Sequence, residues 1–243
     1  DADCEVPENW LTEFDCFIQK TEVKFISGPV VFEKGKGLLN IFQRIDFMSL
    51  QGATIGGFGI GKAFMCNAAN LCYEKSVFIE LNGFSGNEKI ASGDDIFLLE
   101  KMQSAGHKIG YLKSKSAIIS TQSQPTFAQL VNQRVRWAAK ASAYQNPFSK
   151  FVGILILLMN LSIILGLNAA LFGIIDSRYF FYVFLVKFNV DFLLIYPTAI
   201  FFENEKLLKN YFWCSFIYPF FTGFIALKAS LYGYSWKDRR FRR

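Results

Sequence analysis

"FVGILILLMNLSIILGLNAALFGII", Phe151 to Ile175, contains no charged residue. A bilayer core takes roughly 20 helical residues to cross, so this run is long enough to span, and it divides the chain. Before it lie most of the charges and the glycine-punctuated loops. After it come two more apolar runs, "YFFYVFLVKFNVDFLLIYPTAIFF" (Tyr179 to Phe202) and "YFWCSFIYPFFTGFIALKASLYGY" (Tyr211 to Tyr234). A very apolar soluble bundle is the competing reading, and three such runs in succession argue against it. The expected organisation is a soluble module over 1–150, a membrane module over 151–234 (runs 151–175, 179–202 and 211–234) and a basic tail over 235–243.

The second run carries Lys187 and Asp191, four apart and so on one helical face. Charges at that depth are costly unless they are paired or face protein or water. The third run is aromatic at both ends, which suits the headgroup boundary, and Lys228 can extend toward it. Lys140 and Lys150 precede the first run, and the tail "SWKDRRFRR" holds five basic residues against one Asp. By the positive-inside rule both ends are expected on the cytoplasmic side. Three full spans would separate them, so the second run, with its charges and Pro197, is expected to be incomplete or displaced.

Much of the net charge of +6 sits in that tail. Nucleic-acid binding calls for basic residues grouped on a folded surface, whereas a juxtamembrane cluster meets anionic lipid. Membrane lipids are therefore expected partners and nucleic acid is not. The five cysteines, Cys4, Cys16, Cys66, Cys72 and Cys214, form no CxxC pair. An odd number without metal-like spacing suits a reducing compartment.

The soluble module reads as mixed α/β. "PENWLTEFDCFI" places Trp10, Leu11, Phe14, Phe17 and Ile18 on one side of a helix after Pro7. "VKFISGPVVF" is a strand broken at Gly28-Pro29. "GLLNIFQRIDFMSLQGA" is helical, and "AFMCNAANLCYEKSVFIELNGF" gives a short strand, a loop and a helix ended near Asn82-Gly83. "DDIFLLEKMQSAG" is a helix led by two acids. "KIGYL" and "AIIST" are strands, and "PTFAQLVNQRVRWAAKASAY" is a helix leading toward the first apolar run. His107, in "AGHKIG", is expected in an exposed turn.

Three groups of residues carry chemistry. Asp1 and Asp3 open the chain one residue apart. A calcium loop would need glycine at its sixth position and glutamate at its twelfth; Val6 and Thr12 stand there. Two such carboxylates can instead hold a hard divalent cation together with a diphosphate, or they are simply a solvated terminus. Asp94 and Asp95 lead a helix, where acids are favoured by the backbone N–H groups. Asp94 is read as a cap, and one of the pair can accept a proton from a hydroxyl. In "QRVRW", Gln133, Arg136 and Trp137 share one helical face. Arg136 has the planar fork that matches phosphate oxygens, and Trp137 offers a flat ring on which a sugar can stack. A basic, aromatic belt near the membrane is the alternative.

The order DxD, acidic pair, QxxRW and membrane helices resembles the family-2 glycosyltransferases, the inverting membrane enzymes related to cellulose, chitin and hyaluronan synthases. "FMCNAANLCYEKSVF" looks like that family's acceptor-side segment, "NGF" like the turn that follows it, and "SGDDIFLL" like its general-base motif in a GDD form. The resemblance covers about residues 1–150. It implies a Rossmann-like GT-A α/β fold of which this chain holds the acceptor half, its N-terminal half missing, followed by an α-helical transmembrane module.

The resemblance also implies roles. Asp3 would bind Mg²⁺ or Mn²⁺ on the diphosphate of a nucleotide-sugar donor, a UDP-sugar by default, with Asp1 supporting the nucleotide or metal. Asp95 would be the base, with Asp94 next to it. Gln133, Arg136 and Trp137 would hold the acceptor and the leaving diphosphate. The acceptor would be a lipid or glycan hydroxyl, and the protein would sit in the cell's inner or plasma membrane with its catalytic domain cytoplasmic. Two other classes are a glycosyltransferase-like membrane scaffold without turnover and a membrane transport subunit.

Overall fold

The computed structural model describes residues 3–85, 93–141, 144–231, 234–236 and 239–241. The chain divides into two units, Asp1–Ser123 with Tyr144–Ser149, and Gln124–Ala143 with Lys150–Arg243. The helix read before the first apolar run thus falls with the apolar helices, not with the α/β part.

The first unit holds strands β1 (Cys4–Glu5), β2 (Phe25–Ser27), β3 (Val30–Phe32), β4 (Leu71–Tyr73), β5 (Ile109–Tyr111) and β6 (Ile119–Thr121). They form two three-stranded sheets, β1-β6-β3 and β4-β2-β5. The pairs β2/β5 and β3/β6 are parallel, and β4 and β1 are antiparallel edges. Parallel pairing requires a long crossover. Between β2 and β5 run the helices α1 does not supply: α2 (Gly37–Gly59), α3 (Lys75–Glu80) and α4 (Asp94–Ser104), with α1 itself at Trp10–Thr21.

The break between β2 and β3 falls at Gly28-Pro29, as expected, because Pro29 has no N–H for a ladder. Asn70 fills the break. Its Oδ1 accepts from Trp10 Nε1 at 2.9 Å, and its Nδ2 donates to the Pro29 and Ala117 carbonyls at 2.8 Å each. The Gly28 N–H reaches the Asn70 carbonyl at 2.8 Å. A Cβ at Gly28 would come within 2.5 Å of the Asn70 amide, so only glycine leaves room for this tie.

The apolar core has two parts. Phe25, Val77, Leu98, Leu99 and Met102 form one, and Phe14, Ile26, Leu112 and Ala117 the other. The helices of the sequence reading all form. The strand expected near Phe64 lies later, at Leu71–Tyr73, where it can pair with β2. Residues before it form an irregular stretch and a 3₁₀ turn (Ala68–Asn70) that Asn67 caps by accepting the Ala69 N–H at 3.0 Å. His107 is half-buried rather than exposed, with Nε2 withdrawn from solvent and its N–H on the Met102 carbonyl.

The second unit contains α5 (Phe127–Ala141), most of α6 (Pro147–Leu171), α7 (Ser177–Phe201), a 3₁₀ helix (Glu205–Asn210), α8 (Tyr211–Leu231) and a hairpin of β7 (Tyr234–Trp236) and β8 (Arg239–Phe241). Helix α5 packs along α8, with Phe127 and Phe221 at 6.3 Å. Three segments are long and apolar enough to cross a membrane: Pro147–Leu171, Ser177–Phe201 and Glu205–Leu231. Many of their large apolar side chains are exposed, among them Leu158, Leu165, Val186 and Leu193, as lipid-facing side chains are.

The first span ends at Leu171, four residues before the apolar run does, because the chain turns at Gly173 (φ 71°) and the Ile174 N–H folds back to Ala169. The second run is not cut short. Helix α7 continues through Pro197, and Thr198 Oγ1 bonds the Leu194 carbonyl at 2.7 Å. Its charges are accommodated: Lys187, 6% exposed, pairs with Asp191 and lies over the Tyr218 ring at 5.6 Å.

Candidate functional site

Helix α4 places the acidic pair. Its N-cap is Gly93, whose φ of 105° suits glycine, and not Asp94 as the sequence suggested. Asp94 is the first helical residue and is exposed. Both acids sit in the first turn, where the unpaired N–H groups of the helix favour negative charge. Asp95 is half-buried. Its Oδ1 takes the Ile96 N–H at 2.9 Å, and its Oδ2 takes the Ala68 N–H at 3.1 Å. These two backbone donors fix the orientation of the Asp95 carboxylate.

Around Asp95 stand residues the sequence reading passed over. Tyr144 is buried and meets Phe97 edge-on at 5.9 Å. Burial first, and then the neighbouring Asp95, Cys66 and Glu100, keep its hydroxyl protonated far above the ordinary tyrosine range. Glu100 accepts the backbone N–H groups of Gln145 and Asn146. The Asn-Pro pair at 146–147 was a readable signal for a helix start.

Asp3 is exposed just ahead of β1, and its Oδ1 lies 3.9 Å from the Cys4 thiol. Asp1 lies outside the described residues. Among the described residues no three His, Cys, Asp or Glu side chains gather as a ready-made metal cage.

The QxxRW residues lie on α5, in the second unit. Leu130, Val131 and Val135 bury one side of this helix. Gln133, Arg136 and Trp137 are half-buried. Arg134, only 7% exposed, lies over the Trp137 ring at 4.2 Å and donates to Gln133 Oε1 at 3.4 Å. One face of Trp137 is therefore covered by Arg134, a neighbour three residues away that the sequence reading left aside. Asp3, Asp94 and Asp95 thus belong to the first unit and Gln133, Arg136 and Trp137 to the second.

A family model described as "Glycosyl transferase family group 2" matches residues 1–227. No curated protein matches the sequence.

Proposed function

The chain belongs to the glycosyl transferase family 2 group, and from that premise we propose that it is a membrane-bound, inverting enzyme of the hexosyltransferase type. It moves a sugar from a nucleotide-sugar, a UDP-sugar by family default, to a hydroxyl of a lipid or glycan. The observation that carries this reading is the Asp95 carboxylate, fixed at the head of α4 by the Ala68 and Ile96 N–H groups.

In the proposed reaction Asp95 takes the proton of the acceptor hydroxyl. The acceptor oxygen attacks the anomeric carbon from the face opposite the diphosphate, and the carbon–oxygen bond to the diphosphate breaks. One displacement inverts the anomeric centre, and no enzyme nucleophile is needed. Arg136 meets the charge that develops on the leaving diphosphate, and Gln133 and Trp137 hold the acceptor. Asp94 is the alternative base.

The exposed Asp3, with Asp1 two positions before it in the sequence, suits Mg²⁺ or Mn²⁺. Such an ion is commonly bound through one or two carboxylates plus substrate phosphates, so a full protein cage is not required. When bound, it offsets negative charge on the diphosphate.

Residues 1–150 would form the catalytic part, 151–234 the membrane part, and 235–243 a tail that meets anionic lipid on the cytoplasmic face of the inner or plasma membrane. The deciding experiment is mass analysis of products formed from UDP-sugars by membranes carrying the protein. A new glycolipid or glycan with inverted anomeric configuration supports the reading. Retained configuration, or no product dependent on Asp95, overturns it.

A further inference from the structure

Helix α4 grips two distant segments of the first unit. Glu100 accepts the Gln145 N–H through both oxygens, at 3.0 and 3.1 Å, and the Asn146 N–H at 2.9 Å. Asn146 caps α6: its Oδ1 accepts the Phe148 and Ser149 N–H groups at 2.9 and 3.3 Å, with Pro147 in the first helical position. The Asn146 Nδ2 donates to the Ala63 carbonyl at 3.2 Å, and Gln103, one turn beyond Glu100, donates to the same oxygen at 2.9 Å. The stretch that begins at Ala63 ends at Ala68, whose N–H orients Asp95.

The result is a closed loop of hydrogen bonds. Glu100 fixes Asn146, Asn146 fixes Ala63, and the 63–68 segment delivers the N–H that sets the Asp95 carboxylate. Glu100 is on the same helix as Asp95, so the loop returns to its starting element. A loop anchor alone would need only the Glu100 contacts. The second tie, from the Asn146 amide to Ala63, serves the segment that leads to Ala68.

We propose that Glu100 and Asn146 are positioning residues that hold the Asp95 carboxylate in its reactive orientation through the 63–68 segment, and that fasten the first turn of α6 to the same helix. This rests on the reading of Asp95 as the base. Misplacing a reacting group by about 1 Å can lower a rate by as much as 10²-fold, so a loosened Ala68 would lower turnover without altering donor binding.

Two substitutions test it in the full chain in membranes. Asn146→Asp keeps an oxygen to cap α6 but removes the Nδ2 donor to Ala63. Glu100→Gln keeps the size of the side chain but loses one acceptor oxygen. The assay uses whichever of UDP-glucose, UDP-galactose and UDP-N-acetylglucosamine the unaltered protein consumes. Each variant is expected to lower kcat by about 10- to 100-fold, with little change in the donor KM and in the melting temperature. In an Asp95→Asn background, where no base is left to position, the same substitutions should lower the residual rate no further.

A loss that persists undiminished in the Asp95→Asn background would overturn the proposal and leave the two residues as structural anchors. So would normal kcat in both single variants. An Asp95→Asn protein that turns over normally would instead refute the base assignment itself, a result separate from either.

Discussion

The Asp95 Oδ2 accepts the Ala68 N–H at 3.1 Å across 27 positions of sequence. That bond joins the head of α4 to the stretch ahead of β4. It separates the two acids of the pair: Asp95 is oriented by backbone from elsewhere in the fold, while Asp94 stands exposed beside it. A base must hold its proton-accepting oxygen in place, and Asp95 meets that requirement.

Asp95→Asn keeps an oxygen that can accept one of the two N–H groups, so the fold should survive. Turnover should fall by ~10²–10⁴, the span of general acid–base contributions. Donor affinity should change little, because in the proposed reaction Asp95 acts on the acceptor. Steady-state rates and donor binding measured on the same membranes check this. Near-normal turnover would move the role to Asp94.

Arg134 and Arg136 should respond differently to lysine. Arg136→Lys keeps the charge but loses the planar fork that matches diphosphate oxygens, so the rate should drop steeply while the melting temperature holds. Arg134 is buried and lies over Trp137 at 4.2 Å. Arg134→Lys should lower thermal stability as well, on the order of 1 kcal/mol from the weakened ring contact. Equal melting temperatures for both variants would refute the distinction.

Much of this architecture was legible because its causes are local. The helix at Trp10–Thr21 follows from one-sided apolar spacing, the β2/β3 break from Pro29, and the three helices long enough to cross a membrane from long, predominantly apolar runs. The features that escaped depend on residues far apart in sequence. Nothing in the surroundings of Glu100 announces that it holds Gln145 and Asn146, nor does Asn70 announce that it joins Trp10, Pro29 and Ala117. The strand at Leu71–Tyr73 escaped because its partner β2, not its own pattern, decides its place. Arg134 over Trp137 is an i, i+3 relation, local enough to be readable in the sequence.

Lys187 and Asp191 in α7 should behave as a unit. Lys187 is 6% exposed and paired with Asp191. Lys187→Leu leaves the Asp191 carboxylate, 38% exposed, without its partner in an apolar helix and should lower stability. The double variant Lys187→Leu/Asp191→Leu removes both charges and should recover most of that loss. Melting curves in detergent distinguish the cases. A double variant as unstable as the single one would mean that the pair does more than neutralise itself.

Tyr111 supplies a pH test. It ends β5 against Phe58, with ring centroids 5.6 Å apart, and its hydroxyl oxygen is buried with no hydrogen-bond partner among the described residues. Burial pushes the ionisation of this phenol well above the ordinary value of 10.0. Below that ordinary value the folded and unfolded chains both keep the proton, and stability does not depend on it. Above it the unfolded chain releases a proton that the folded chain retains. Stability therefore falls as pH rises from about 10 toward the folded value, by at most ~1.4 kcal/mol per pH unit for one such group. Tyr111→Phe removes a buried polar atom that lacks a partner, so it should be neutral or stabilising by up to about 1 kcal/mol at pH 8. It should also flatten the alkaline decline, though not abolish it, because Tyr144 is shifted in the same direction. Melting temperatures between about pH 8 and pH 11 for the parent and the variant decide the matter. A variant that melts lower at pH 8, with an unchanged alkaline slope, would show that the Tyr111 hydroxyl is satisfied and that its burial does not govern stability there.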